Sequence, residues 1–386
     1  MNTSWWRTIG QISDAQRELI RLPPHGKHLF EGPPGSGKTN LLLLRAEYMA
    51  VAAACKNSLI LTYTGSLANF IRSGIGSKQL ISKNQIKTYH SWAYDHIINH
   101  LGERPLPDNA DFDEKARLEI LRLVVEANKN LPSPKLYDAI FVDEAQDLTV
   151  PELRELLRLS DNICICGDTR QGIYNRNGLD IAEELDLEKH TLTEHFRIGH
   201  KIAKVADKLL PPMEGQDSLE STSKYNSKIQ GDSSAKLHPC KSRDEQFDIM
   251  LGLIKIQLEA FNNDSIGIFC GNRSTRQELR DRFDETELSD KVCVHGIDQD
   301  PDFLKYPIHI LTIHGAKGTE FRAVHIFGTE ELKKGPLKRT KLSYTAVTRA
   351  KTALNAYKTG DTTPALESAF AEPVHIDLQD LFEGAQ

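Results

Sequence analysis

The stretch Gly32-Pro-Pro-Gly-Ser-Gly-Lys-Thr39 decides the fold. It follows a short apolar lead, His28-Leu-Phe30, and opens an apolar helical run over residues 41–54. Strand, glycine-rich loop and helix in that order form the context in which such a loop holds phosphate. The glycines of Gly32, Pro33, Pro34, Gly35, Ser36 and Gly37 let backbone N–H groups wrap a β-phosphate, and the helix N-terminus adds positive potential. Lys38 is placed to reach the β- and γ-phosphates, and the Thr39 hydroxyl to hold Mg2+. A second segment, Phe141-Val-Asp-Glu-Ala-Gln-Asp147, ends an apolar strand in adjacent carboxylates, where the carboxyl ends of parallel strands present ligands. There Asp143 suits Mg2+, and Glu144 suits a general base that orients the attacking water. Together the two segments read as nucleoside triphosphate hydrolysis with Mg2+ as cofactor.

Working outward, Ser58-Leu-Ile-Leu-Thr62, Ala139-Ile-Phe-Val142 and Asn162-Ile-Cys-Ile-Cys166 are short apolar runs that fit strands buried on both faces. Helical patterns alternate with them, which implies a doubly wound α/β domain. A second set of apolar runs, at residues 265–270, 309–312, 324–327 and 353–357, implies another α/β domain joined to the first near residue 200. Residues 211–236, rich in Ser, Asp, Gly and Lys, read as an exposed connection.

Length and composition agree. A chain of 386 residues with 39% hydrophobic and 26% charged residues fits two or three domains and excludes a disordered chain. No apolar run approaches the length of a membrane span, and residues 1–10, with Trp5, Trp6 and Arg7, lack the core of a secretory signal. A net charge of −6 excludes a wholly basic nucleic-acid-coating protein and leaves room for a local basic groove. Six scattered cysteines, at positions 55, 164, 166, 240, 270 and 293, point to a reduced cytoplasmic protein with no disulfide framework and no zinc site.

A small-molecule kinase would share the phosphate loop but would not need the polar set that follows it. In Gly167-Asp-Thr-Arg-Gln-Gly-Ile-Tyr174, Gln171 is placed to sense a γ-phosphate. Arg197, in Glu194-His-Phe-Arg197, and Arg349, in Thr348-Arg349-Ala350, are candidate arginine fingers for the charge that spreads over the γ-phosphate oxygens.

Taken in order, these segments resemble the superfamily 1 helicases of the UvrD/Rep type. Gln16 looks like the adenine-reading glutamine, Gly32–Thr39 like motif I, and Leu61-Thr-Tyr-Thr-Gly-Ser66 like motif Ia. Thr88-Tyr-His-Ser91 resembles the Thr-Phe-His segment, Asp143-Glu-Ala-Gln146 motif II, and the run from Gly167 to Tyr174 motif III. Leu192-Thr-Glu-His-Phe-Arg197 is similar to motif IV, the run from Leu311 to Phe321 to motif V, and that from Leu342 to Ala350 to motif VI. The resemblance implies two RecA-like domains with ATP in the cleft between them. Gln16 then reads the base, Glu320 and Arg349 reach in from the second domain, and Tyr63, Tyr89, His90, Tyr174, His314 and Lys317 line a single-strand track on which bases stack. The expected domains are 1–198, with a short helical insert at about 92–135, then 199–360 and an acidic tail over 361–386.

Three departures stand out. The large helical insertions of the family are missing between His90 and Asp143 and before motif V. Arg176 stands where the family usually places a stacking aromatic, and an Arg can stack through its guanidinium plane while contacting phosphate. Asn40 stands where members often have Arg. The basic run at 333–341 reads either as a solvated loop or as a phosphate clamp, and the tail either as a docking segment or as disordered. Two functions follow: an ATP-driven motor on single-stranded DNA or tailed duplex, with 3′→5′ polarity implied by the resemblance, or an ATP-responsive switch subunit that activates a partner nuclease in repair or phage defence.

Overall fold

The computed structural model describes residues 6–73, 80–102, 113–172, 176–261, 264–298 and 303–372. The apolar runs become strands because each can bury both faces between layers of helix. β1 (Lys27–Glu31), β2 (Ser58–Thr62), β3 (Ile86–Thr88), β4 (Ala139–Val142), β5 (Ile163–Gly167) and β6 (Glu188–Thr191) form one sheet in the order β3-β2-β4-β5-β1-β6. β7 (Ser234–Cys240), β8 (Ile266–Cys270), β9 (Val292–Val294), β10 (Ile308–Thr312), β11 (Phe321–Ile326) and β12 (Ala350–Thr359) form the other, in the order β7-β12-β11-β8-β10-β9. Among the described residues every pairing between these strands is parallel. Parallel pairs need crossovers, and helices such as Lys38–Ala52 and Arg243–Ala260 supply them. These are the two doubly wound units expected from the sequence.

Some elements differ from expectation. Residues 211–236 are not a bare exposed connection. Leu219 and Tyr225 are buried, Ser223 pairs with His195, and the segment ends in β7. The polar edge strand β6 and the short β3 and β9 add to the sheets. The tail begins with helix Pro364–Phe370, which buries Leu366 and Ala369 against helix His200–Leu209, while residues 373–386 lie outside the described residues. All six cysteines are free. Among the described residues, no helix is long and apolar enough to cross a membrane.

The chain passes from the first sheet to the second through residues 192–199, directly beside the phosphate loop. The Phe196 N–H donates to the Gly35 carbonyl at 3.2 Å, and the Gly199 N–H donates to the Lys351 carbonyl at 2.9 Å. The link is thus stitched to both units.

Candidate active site

The loop after β1 turns through Gly35 and Gly37, whose φ angles of +81° and +87° lie in the left-handed region that favours glycine. A Cβ at Gly35 would also stand 3.2 Å from the Arg197 Cβ. Helix Lys38–Ala52 starts at the end of this loop, so its first N–H groups face the same space. Lys38 Nζ donates to the Gly32 and Pro33 carbonyls at 2.7 and 2.9 Å, which holds the ammonium against its own loop. The Ser36 hydroxyl is buried with no hydrogen-bond partner among the described residues. Gln16 closes the loop from outside: its Nε2 donates to the Ser36 carbonyl at 2.9 Å, while its Oε1 completes the capping box of helix Asp14–Ile20.

Across from the loop, β4 ends in Asp143 and Glu144. The Thr39 hydroxyl donates to Asp143 Oδ2 at 2.6 Å. A hydroxyl and a carboxylate are hard oxygen donors of the kind Mg2+ selects, so the residues present fit that ion. Glu144 adopts φ +54°, a left-handed conformation that costs a non-glycine residue energy and recurs at functional sites. Its carboxylate accepts from Gln146 Nε2 at 2.5 Å. Burial raises the Asp143 carboxyl to about 6, and the neighbouring Glu144 charge adds to the effect. Burial pushes Glu144 the same way, but Lys317, Arg349 and Lys38 outweigh it and hold this carboxyl below its ordinary value. The two adjacent carboxylates are therefore driven apart, Asp143 upward and Glu144 downward.

The second sheet closes the site. Arg349 Nη2 donates to Gln171 Oε1 at 2.7 Å, and Gln171 Nε2 donates to Asp168 Oδ2 at 3.0 Å. Burial, then the nearby Arg197, lower the Arg349 guanidinium to about 10. Arg197 pairs with Glu320, and Lys351 reaches the same carboxylate at 2.8 Å. Burial would raise Glu320, but Lys351 and then Arg197 bring it down to about 2. These groups face a solvent-open cleft of about 990 Å³ that both sheets line and that Trp6, Arg7, Phe70 and Phe196 extend.

The residues assigned to a strand track fall into two groups. Tyr63, His90 and Arg176 lie together: the Arg176 guanidinium carbon is 5.1 Å from the Tyr63 ring centroid, and the His90 ring meets the same ring edge-on at 5.9 Å. Tyr63 itself is mostly buried, and its hydroxyl accepts from Arg117 at 3.1 Å. His314 is half-buried, and burial followed by Arg339 lowers its pKa. Tyr89 and Lys317 do not join an open track. Tyr89, 1% exposed, packs on Trp92 at a ring distance of 5.6 Å. Lys317, also 1% exposed, donates to Asp147 Oδ1 at 2.7 Å and to the Gln171 carbonyl at 2.8 Å, and lies 3.5 Å from Glu144. Tyr174 lies outside the described residues.

Two family models match the chain: an AAA domain over residues 16–177 and a UvrD-like helicase C-terminal domain over residues 307–357. The first holds the phosphate loop and both acids, and the second holds Lys317, Glu320 and Arg349. A probable DNA helicase of Mycoplasma pneumoniae is 27% identical over 239 residues, across 55% of this chain and 42% of the relative. Together these matches support a UvrD/Rep-like superfamily 1 helicase. The F-box DNA helicase 1 of Gallus gallus is 38% identical over 91 residues, across 22% of this chain and 9% of that protein. The chain thus spans less than half the length of either curated relative. A solved structure, that of the PRRSV helicase, aligns over 93% of this chain and 56% of its own at 15% identity and a TM-score of 0.41.

Among the described residues the two α/β units carry little beyond their sheets and crossover helices. Between His90 and Asp143 the described residues hold the helices Tyr89–Leu101 and Glu114–Lys129, and between Arg276 and Leu311 one helix end, a 3-10 turn and two strands. The insert helix is fastened to the first α/β unit, because Arg117 forms a buried ion pair with Glu152. Sequence reading missed that pair, and it missed Lys351 and Gln146 as well. Lys351 follows Arg349 by two residues and Gln146 follows Glu144 by two, so proximity in sequence was the available signal.

Proposed function

We propose that the chain is an ATP-hydrolysing motor that works on single-stranded DNA, including the tail of a tailed duplex, with 3′→5′ as the direction of travel. One observation carries the reading. A chain of contacts runs from the water-activating carboxylate to the aromatic cluster: Glu144 to Lys317 at 3.5 Å, Lys317 to Asp147 at 2.7 Å, the Asp147 carbonyl to Arg176 at 2.8 Å, and Arg176 over Tyr63. Lys317 belongs to the second sheet's side and the others to the first. Movement between the units therefore changes the base and the aromatic cluster together.

In this reading Lys38 exchanges its two loop carbonyls for phosphate oxygens. Thr39 and Asp143 would hold Mg2+, which neutralises phosphate charge. Water attacks the γ-phosphorus and gives its proton to Glu144 as the bond to the ADP oxygen breaks. Arg197 and Arg349 offset the charge that develops on the transferred group. Gln171, bonded to Arg349, ties that charge to the contact between units.

The test is steady-state ATP hydrolysis with and without single-stranded DNA, with Glu144→Gln as the blank and a single-stranded RNA as comparison. Strong stimulation by DNA is expected. Hydrolysis that ignores nucleic acid would refute the motor and leave a switch subunit as the reading to pursue. Stimulation by RNA alone would refute the DNA assignment.

A further inference from the structure

Away from the nucleotide cleft, strand pairing gathers three metal-ligating side chains. β1 and β6 run parallel with His28 in register beside Glu188. Side chains alternate along a strand, so Glu188 and His190 share a face. On that face His28 Nδ1 lies 3.2 Å from His190 Nε2. One Glu188 carboxylate oxygen lies 3.4 Å from His28 Nδ1, and the other lies 3.7 Å from His190 Nε2.

Ligand atoms about 2.0–2.1 Å from a tetrahedral ion are about 3.3–3.4 Å from one another. The separations of 3.2, 3.4 and 3.7 Å, the last two to different oxygens of the one carboxylate, are close to that spacing, and a small turn of the exposed Glu188 side chain brings one oxygen within reach of an ion held by both rings. We propose that His28, Glu188 and His190 bind a divalent transition-metal ion, with Zn2+ the best match, and that water completes its coordination. Two imidazoles with one carboxylate suit Zn2+, Co2+, Ni2+ or Cu2+ and not the oxygen-seeking Mg2+ of the nucleotide site.

Access and charge fit this assignment. The Glu188 side chain is 63% exposed while that of His28 is 4% exposed, so an ion enters from the carboxylate side and meets a ring fixed in the sheet. Glu188 supplies the negative charge that a dication needs. Arg45 acts on His28 from the buried side, but its guanidinium is committed to the carbonyls of Leu19, Ile20, Leu22 and Pro23. The cysteine spacing gave no hint of such a site, because these ligands are assembled by pairing between strands far apart in sequence.

The location has a consequence. β1 runs into the phosphate loop, and β6 runs into residues 192–197, which carry Arg197. The ion would pin a short polar edge strand to the strand that bears the loop. A ligand that binds only the folded chain also stabilises it, and the more so as its concentration rises above its dissociation constant.

A second cluster, Cys293, His295 and His309, could draw an ion instead. It is fully buried and contains a thiol, which makes the two sites separable. The experiment is a Zn2+ and Co2+ titration of the untagged, chelator-stripped full chain without nucleotide or Mg2+. It uses the wild type, Glu188→Gln and His190→Asn, with circular dichroism to verify the fold of each.

One equivalent is expected in the wild type. Removing an outer-shell partner of a metal site weakens binding by about 10–100-fold, so loss of a ligand should cost at least about tenfold in each variant. The Co2+ spectrum should lack a thiolate-to-metal charge-transfer band, and Zn2+ should raise the melting temperature of the wild type alone. Absence of stoichiometric binding at micromolar Zn2+ would leave a hydrogen-bonded His–His–Glu cluster only and overturn the proposal. Wild-type affinity retained in both variants, or a thiolate band, would also overturn it by placing the ion at Cys293.

Discussion

Replacing Lys317 by methionine removes a buried ammonium from between Glu144 and Asp147 while keeping most of the side-chain volume. At 3.5 Å from the Glu144 carboxylate, that charge is worth between about 1 kcal/mol at the dielectric constant of water and about 5 kcal/mol at an effective value near 20. Lys317 is the largest of the charges that hold Glu144 below its ordinary value, so its loss lets the carboxyl rise. A general base works only when ionised, so the acid limb of the kcat profile moves to higher pH. On the limb, each 1.4 kcal/mol lost lowers turnover about tenfold. The assay is DNA-stimulated ATP hydrolysis from about pH 5 to 9, with melting curves to verify folding. The acid limb should move up by about 1–3.5 pH units, with turnover lost at low pH recovered at alkaline pH. Asp147→Asn removes a like charge and should move the limb the other way. A folded Lys317→Met enzyme whose limb stays at the wild-type pH would refute the reasoning.

The catalytic assignments predict that Lys38→Ala, Asp143→Ala and Glu144→Gln each lose about 10²-fold or more in turnover, while Glu144→Gln still binds a fluorescent ATP analogue. Hydrolysis retained in Lys38→Ala would remove the phosphate loop from the mechanism. Glu152→Gln should destabilise the chain by about 3–5 kcal/mol in urea unfolding, because it strands the buried Arg117 guanidinium and also weakens the cap at Thr149. A loss below about 1 kcal/mol would mean that the pair does not hold the insert helix. Burial, then the His238 charge, hold His325 down at about 3, and its ring bonds Tyr357 at 2.7 Å and Gln257 at 2.8 Å. The unfolded chain protonates this ring near pH 6.5, and the folded chain only near 3. Stability is therefore full above about pH 6.5 and is lost as the pH falls towards 3. His325→Gln should remove about 1.4 kcal/mol of the loss between pH 7.5 and 5.5, read as a flatter stability–pH slope. An unchanged slope would contradict a ring held neutral by burial.

Much of this molecule can be read from its chain because buried parallel strands have to be apolar end to end. Ser58–Thr62 and Ala139–Val142 coincide with the runs marked in the sequence, and the 162–166 run is displaced by one residue in β5. Glu188-Lys-His-Thr191 could not be found that way, since an edge strand with an exposed face carries no apolar signature. The loop between two strands is equally hard to judge from composition. Residues 211–236 are polar on average, yet Leu219 and Tyr225 anchor them. The nucleotide residues are legible because each lies at a strand end or loop whose chemistry is local. Lys317 is not, because its surroundings are Asp147 and Gln171, 170 and 146 residues away in sequence, and only the packing of one unit on the other reveals them.

The link at residues 192–199 leaves the molecule without slack at the one place where slack would matter. Its N–H groups are fastened to the phosphate loop at Gly35 and to the far unit at Lys351, with Arg197 between the two stitches. How far the units part and how far the arginine withdraws are then a single coordinate rather than two. A flexible Gly-Ser insertion in that link would act like a clutch: the halves could separate while Arg197 stayed at its post, and hydrolysis would run on without pulling anything along.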